Sequence, residues 1–199
     1  MKIQQFVMAY GAEQDRLRAM LPEGYVSLRP VLRINAEITD DAVGYLEFNT
    51  PVEHGGKRGW LNIAHWENVP FEKAGNTVTF RTEFLQIAFT GVGIQGGCPA
   101  EKDNDGCFFL DRTPSLRLPE TISAKKEYCH CRFQWLFSQQ AAQGESIGKT
   151  LPAYPSPVQT IYPKEPLSAQ NAARIPCIQV LGAYQVCFHR DQSPEFSHI

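Results

Sequence analysis

The sequence predicts a mainly β (α+β) protein, a curved antiparallel sheet or barrel with a few short helices. Three observations carry that expectation. Stretches of alternating apolar and polar residues, rich in Val, Thr and Phe, recur along most of the chain. Glycine and proline clusters separate them. Only two stretches, 12–21 and 167–174, read as helices, so the alternation of strand and helix that builds a doubly wound sheet is missing.

Residues 2–10 are expected as the opening strand, with Ile3, Phe6, Val7 and Met8 available for burial. In the helix over 12–21, Leu17, Met20 and Leu21 share one face, while Glu13, Asp15 and Arg18 lie largely off it. Glu13 and Asp15 suit the positive end of the helix dipole, and Pro22 with Gly24 ends the helix. Residues 25–38 read as a strand and its approach. Over 43–50, Val43, Tyr45 and Glu47 share one face and Gly44, Leu46 and Phe48 the other. Gly55, Gly56 and Gly59 turn the chain into a strand over 60–66.

Residues 77–89 are expected as one long strand, with Val78, Phe80, Thr82 and Phe84 on one side and a two-faced or bulged segment over 85–89. Gly91, Gly93, Gly96 and Gly97 are expected to break it. Residues 101–119 read as loop around a short apolar piece at 107–110. A strand or strand pair follows over 126–137, then a surface crossing over the proline-rich 144–166. A final strand over 175–187 and a polar, frayed tail of ten residues complete the chain. No repeat or boundary interrupts the pattern, so 1–199 is expected to be one domain.

A net charge of −2 gathers neither nucleic acid nor an anionic membrane surface, and no run of about 18 apolar residues spans a bilayer. The opening MKIQQFVMAY lacks the apolar core and cleavage site of a signal peptide, so a cytoplasmic protein is expected. In that compartment Cys98, Cys107, Cys129, Cys131, Cys177 and Cys187 are expected as reduced thiols. The triplet Cys129-His130-Cys131 is the most metal-like feature. On a strand the two cysteines face away from the histidine, which suits one zinc ion poorly, and no CxxC partner exists. Gly91 to Gly96 has the spacing of a dinucleotide fingerprint, but Cys98-Pro99 stands where its helix must begin. No metal and no organic cofactor is expected.

The order of motifs in the first quarter resembles acetoacetate decarboxylase. Tyr10 closes a strand, Leu17-Arg18 lies in a short helix, Pro22-Glu23 follows, and Pro30-Val31-Leu32-Arg33 opens the next strand. Gly44-Tyr45-Leu46-Glu47 then matches a Gly-x-Tyr-x-Glu stretch. About 40 residues carry this resemblance well and roughly 100 more weakly. It implies a decarboxylase-like carbon–carbon lyase that forms a Schiff base between a lysine and a β-keto acid, in a homo-oligomer. A lysine amine must be neutral to attack a ketone, and burial or a neighbouring cation lowers its pKa for that purpose.

By position, the resemblance assigns catalytic roles to Lys102, Glu47 and Glu37. Glu47 matches an active-site glutamate together with Tyr45, and Glu37 matches a second one with a two-residue shift, Asn35 holding the unshifted position. Each can equally be a strand carboxylate facing solvent. Lys102 is the positional match for the imine-forming lysine, although Glu101, Asp103 and Asp105 around it raise its pKa. Lys125-Lys126 reproduces the family's lysine pair chemically, more than 20 residues later.

Two other functions compete. A cysteine hydrolase would pair Cys98 or Cys107 with His54, His65, His130 or His189. A binding protein of the same fold would hold a small carbonyl or carboxylate ligand between apolar walls drawn from Trp60, Trp66, Phe80, Phe84, Phe89 and Trp135.

Overall fold

The fold is that of a computed structural model that describes residues 1–94, 104–111, 114–118, 122–137, 140–145, 155–190 and 195–198, with backbone alone for 93–94, 122–137, 140–145 and 198. Alternation in the sequence becomes strands β1 (Lys2–Gly11), β2 (Val26–Ser27), β3 (Val31–Thr39), β4 (Gly44–His54), β5 (Lys57–Glu67), β6 (Phe71–Ala74), β7 (Thr77–Arg81) and β8 (Leu85–Ile94). Strands β9 (Cys107–Phe109), β10 (Ser115–Arg117), β11 (Ile122–Phe137), β12 (Gln140–Glu145), β13 (Gln179–Arg190) and β14 (Phe196–His198) follow. Helix α1 (Gln14–Met20) joins β1 to β2, and α2 (Ala169–Ala173), capped by the Ser168 hydroxyl, precedes β13. The strands pair in the order β14-β10-β9-β5-β4-β3-β1-β13-β11-β8-β7-β6, with β12 beside β11 and β2 beside β4. The mainly β architecture is as expected. The one departure from antiparallel pairing among these described strands is β5 with β9.

The two faces of the central strands have different fates. Even-numbered Phe6, Met8, Tyr10, Leu32, Ile34, Ala36, Leu46 and Phe48 form the main core with Leu17 and Met20 of α1 and Ala172 of α2. The β7–β8 end folds over this face, so that Phe6 meets Phe80 edge-on and Phe89 at a tilt, both at 5.4 Å. The β9–β10 end folds over the opposite face, where Trp60, Cys107 and Phe109 pack on Val31 and Leu181. Burying both faces leaves polar side chains on the second face inside the protein.

Three expectations need correction. Residues 77–89 are a hairpin of two strands, because the Thr82 hydroxyl accepts hydrogen bonds from the Phe84 and Leu85 amides and turns the chain. Gly91 and Gly93 lie within β8: they pair with β11 beside an irregularity in its register between His130 and Cys131, where an absent side chain is tolerated. The polar tail contains β14, which pairs with β10. Gly96, Gly97 and Cys98 lie outside the described residues.

Asp15, expected off the buried face of α1, is instead covered by residues 155–165, which run beside the helix without regular structure. Its carboxylate accepts the Gln159 and Thr160 amides at 3.0 and 2.7 Å and the Arg18 guanidinium at 2.6 Å. Gln14 Oε1 accepts the Ser156 amide, and the Tyr162 hydroxyl donates to Glu13. The Thr160 amide, followed by the Arg18 side chain, lowers the Asp15 pKa. A depressed carboxyl stabilises the fold fully above its unfolded value of about 3.9, and that contribution is lost as pH falls through the lower folded value. Acid titration by NMR is therefore expected to move the Gln159 and Thr160 amide signals together below that value, and Asp15→Ala to give the acid-state signals at neutral pH. Amides that ignore both changes would mean that Asp15 does not hold this segment.

Candidate active site

The interior polar face is built by cross-strand pairing. The register sets Arg33, Asn35 and Glu37 of β3 opposite Asn49, Glu47 and Tyr45 of β4. In β5, His65 stands opposite Glu47, and then the register slips by one residue between Phe48 and Asn49. The extra residue, Ile63, reverses the alternation, so Asn62 joins His65 on this face, and His65 Nδ1 lies 3.3 Å from Asn62 Oδ1.

Glu47 is completely buried. Its Oε1 accepts the Tyr45 hydroxyl and Arg117 Nη2, both at 2.8 Å, and its Oε2 accepts Asn49 Nδ2 at 3.3 Å. A carboxylate oxygen has room for two donors, so Oε2 can take one more. Burial, reinforced by the charge of Glu47, pushes the Tyr45 hydroxyl far above its ordinary range, so it stays a protonated donor. Asn49 is itself held by Arg33 Nε at 2.9 Å, and the Arg33 guanidinium lies 3.6 Å from the centre of the Trp60 ring.

A second cluster surrounds Glu37, which accepts Arg190 Nη2 at 2.9 Å and Gln5 Nε2 at 3.2 Å. Apolar side chains flank the polar strip on both sides: Val31, Trp60, Cys107, Phe109 and Leu181 on one, and Ile3, Val186 and Phe188 on the other. Two buried carboxylates, each matched to an arginine, can orient a polar ligand and accept a proton in a water-poor setting.

The two glutamates singled out from sequence thus share one interior face, and neither faces solvent. Lys102 lies outside the described residues, as does Cys98. Lys125 and Lys126 lie in β11, Lys125 within a register irregularity and Lys126 at its end: Ser123 pairs with His189 and Lys126 with Cys187, leaving two residues of β11 against Phe188 alone. Cys107 is a buried thiol within the apolar wall, a setting that keeps a thiol inert. No group of three metal-ligating side chains occurs among the described residues. Of the aromatics, Phe80 and Phe89 are core, Trp66 stacks on Phe84, and Trp60 is the one of these five that lines the polar face, the Trp135 side chain lying outside what the structure describes.

Sequence reasoning missed Arg117, Arg190, Asn49 and Asn62. Period two from Glu47 points to Asn49, and the phase change at Ile63 hides Asn62. The arginines arrive from strands 70 and 153 residues away in the chain from their glutamates, with no local signal.

No helix among the described residues is long and apolar enough to cross a membrane. No protein-family model and no curated protein sequence matches the chain. Solved structures do. Acetoacetate decarboxylase from Legionella pneumophila has a TM-score of 0.57 at 12% identity, with 99% of this chain and 85% of that one covered. An acetoacetate decarboxylase-like enzyme from Sphingomonas wittichii RW1 has a TM-score of 0.57 at 9% identity, covering 99% and 91%. The enduracididine biosynthesis enzyme MppR, in complex with pyruvate, has a TM-score of 0.55 at 10% identity, covering 94% and 84%. Identities this low make the likeness one of architecture, and on it, together with the strand order and the motif order of the first quarter, the chain has the acetoacetate decarboxylase-like fold.

Proposed function

We propose that the protein is a decarboxylase-like lyase that takes a small β-keto acid or related carbonyl compound at the polar face around Glu47, through a Schiff base on Lys102. The observation that carries this reading is the fully buried Glu47 carboxylate, clustered with Tyr45, Asn49 and Arg117 inside a fold shared with enzymes named as acetoacetate decarboxylases. Condensation of the amine with the ketone expels water and leaves a cationic imine. Loss of carbon dioxide sends the bond's electron pair into that imine as an enamine, and a proton on carbon followed by water returns the product and the free amine. In this scheme Glu47 handles a proton through Oε2, and Glu37 with Arg190 marks the other end of the site. The chain acts as one domain in a cytoplasmic homo-oligomer.

Lys2, Lys57, Lys73 and Lys164 are all exposed, which directs the search for the amine to Lys102, Lys125, Lys126 and Lys149. The exposure of the four lysines whose side chains are described, and the pairing of both glutamates with arginine, also favour a second reading, a binding protein for a small carbonyl or carboxylate ligand. Incubation with acetoacetate or pyruvate and borohydride, followed by peptide mapping, separates the two. An adduct at Lys102 is expected. An adduct at Lys125 or Lys126 moves the nucleophile to β11, and binding without any adduct leaves the second reading in place.

A further inference from the structure

Two side-chain amides beside Glu47 are incompletely paired. Asn35, opposite Glu47, is 5% exposed, and its Oδ1 has no hydrogen-bond partner among the described residues. Asn62, opposite Asn49, is 7% exposed, and its Nδ2 has none among them. Buried polar atoms in folded proteins are almost always satisfied, so two orphans on one interior face mark a place where a partner is brought in from outside. We infer that this partner is the ligand, and that it is a keto acid carrying a hydroxyl group as well as its carbonyl. This inference rests on the polar face being a site for a small carbonyl compound.

The chemistry of the two amides selects the class. Asn35 Oδ1 needs a donor, and neither pyruvate nor acetoacetate, ionised, has one. A hydroxyl donates to Asn35, while a carbonyl or carboxylate oxygen elsewhere in the same molecule accepts from Asn62 Nδ2. Turning either amide over leaves its other end unpaired, and a hydroxyl, which both donates and accepts, serves both orientations. Two strand spacings of about 4.8 Å and an offset of about two residues along the strands put the backbones of Asn35 and Asn62 about 12 Å apart. A three-carbon acid with a hydrogen bond of about 2.9 Å at each end bridges them once the two side chains lean inward.

A site that hydrogen-bonds a hydroxyl rejects the analogue lacking it, because its own buried groups are then left unpaired. Hydroxypyruvate and α-ketobutyrate differ only in carrying a hydroxyl or a methyl at the same place. Calorimetric titration of the full chain is expected to show hydroxypyruvate binding about tenfold or more tighter. Asn35→Leu is expected to bring the two affinities together, chiefly by weakening hydroxypyruvate. Should that variant not fold, the smaller change Asn35→Ala carries the same comparison. Equal affinities in the natural chain, or a preference that both variants leave intact, would overturn the inference while the carbonyl site stands. If neither acid binds, the site itself falls and the inference with it. A clear preference without a borohydride adduct supports the inference and assigns it to a binding protein.

Discussion

Replacing Arg117 with leucine is expected to destabilise the protein by about 3 kcal/mol or more, because it strands a carboxylate that has no route to water. Glu47 is wholly buried, whereas Arg117 is partly open to solvent, so the cost of the change falls on the glutamate side. The Tyr45 and Asn49 donors remain, but neutral donors do not balance a charge held in a low-dielectric interior. The double variant Glu47→Gln with Arg117→Leu removes both charges and keeps the shape, and it is expected to recover more than half of the loss. Urea unfolding of the natural chain, Arg117→Leu, Glu47→Gln and the double variant reads the coupling directly. A single-variant loss below about 1 kcal/mol would show that Arg117 does not sustain the charge on Glu47.

Gly59→Ala is expected to be of similar size, about 3 kcal/mol, by a steric route. A Cβ at Gly59 would meet the Gly106 carbonyl oxygen at 2.3 Å, and that same oxygen accepts the Trp60 amide where β5 approaches β9. Backbone on both sides leaves no flexible side chain to yield. The strands that must shift, β9 and β10, are those that carry Arg117 to Glu47, so ligand binding is expected to weaken along with stability. Gly182→Ala is the control. Nothing lies within 4 Å of its added carbon, and its melting temperature should stay near that of the natural chain.

The sequence made the central strands legible because one face of each is apolar and the other is not. Tyr45 and Glu47 could be put on one face, opposite Leu46 and Phe48, by alternation alone. Alternation also suggested that the polar face meets water, since a sheet with one wet side shows the same pattern. Only the fold of the β9–β10 end over that face buries it, and those strands are three residues each, too short to show a period. The hairpin at Thr82 was hidden for another reason. Thr and Phe favour strands, and a turn made by a threonine hydroxyl needs neither glycine nor proline. Asn35 was read as a departure from an expected glutamate, and its structural meaning, a buried amide end with no partner, depends on burial that sequence does not report.

The pairing of β1 with β13 has a consequence for how the protein comes to exist. One edge of β1 is satisfied early, by β3, but the other waits for β13, which is synthesised far later. From Gly11 to Gln179, synthesis at about 5–20 residues per second takes on the order of ten seconds or more. Throughout that interval the growing chain presents an unpaired row of amides and carbonyls bordered by Phe6, Val7 and Met8, the kind of template that recruits other chains. Arg190, the counter-charge of Glu37, arrives at the end of the same strand. Half-made copies are thus adhesive and also lack the counter-charge of Glu37, so yield in the cell should depend strongly on chaperones that shield nascent strands.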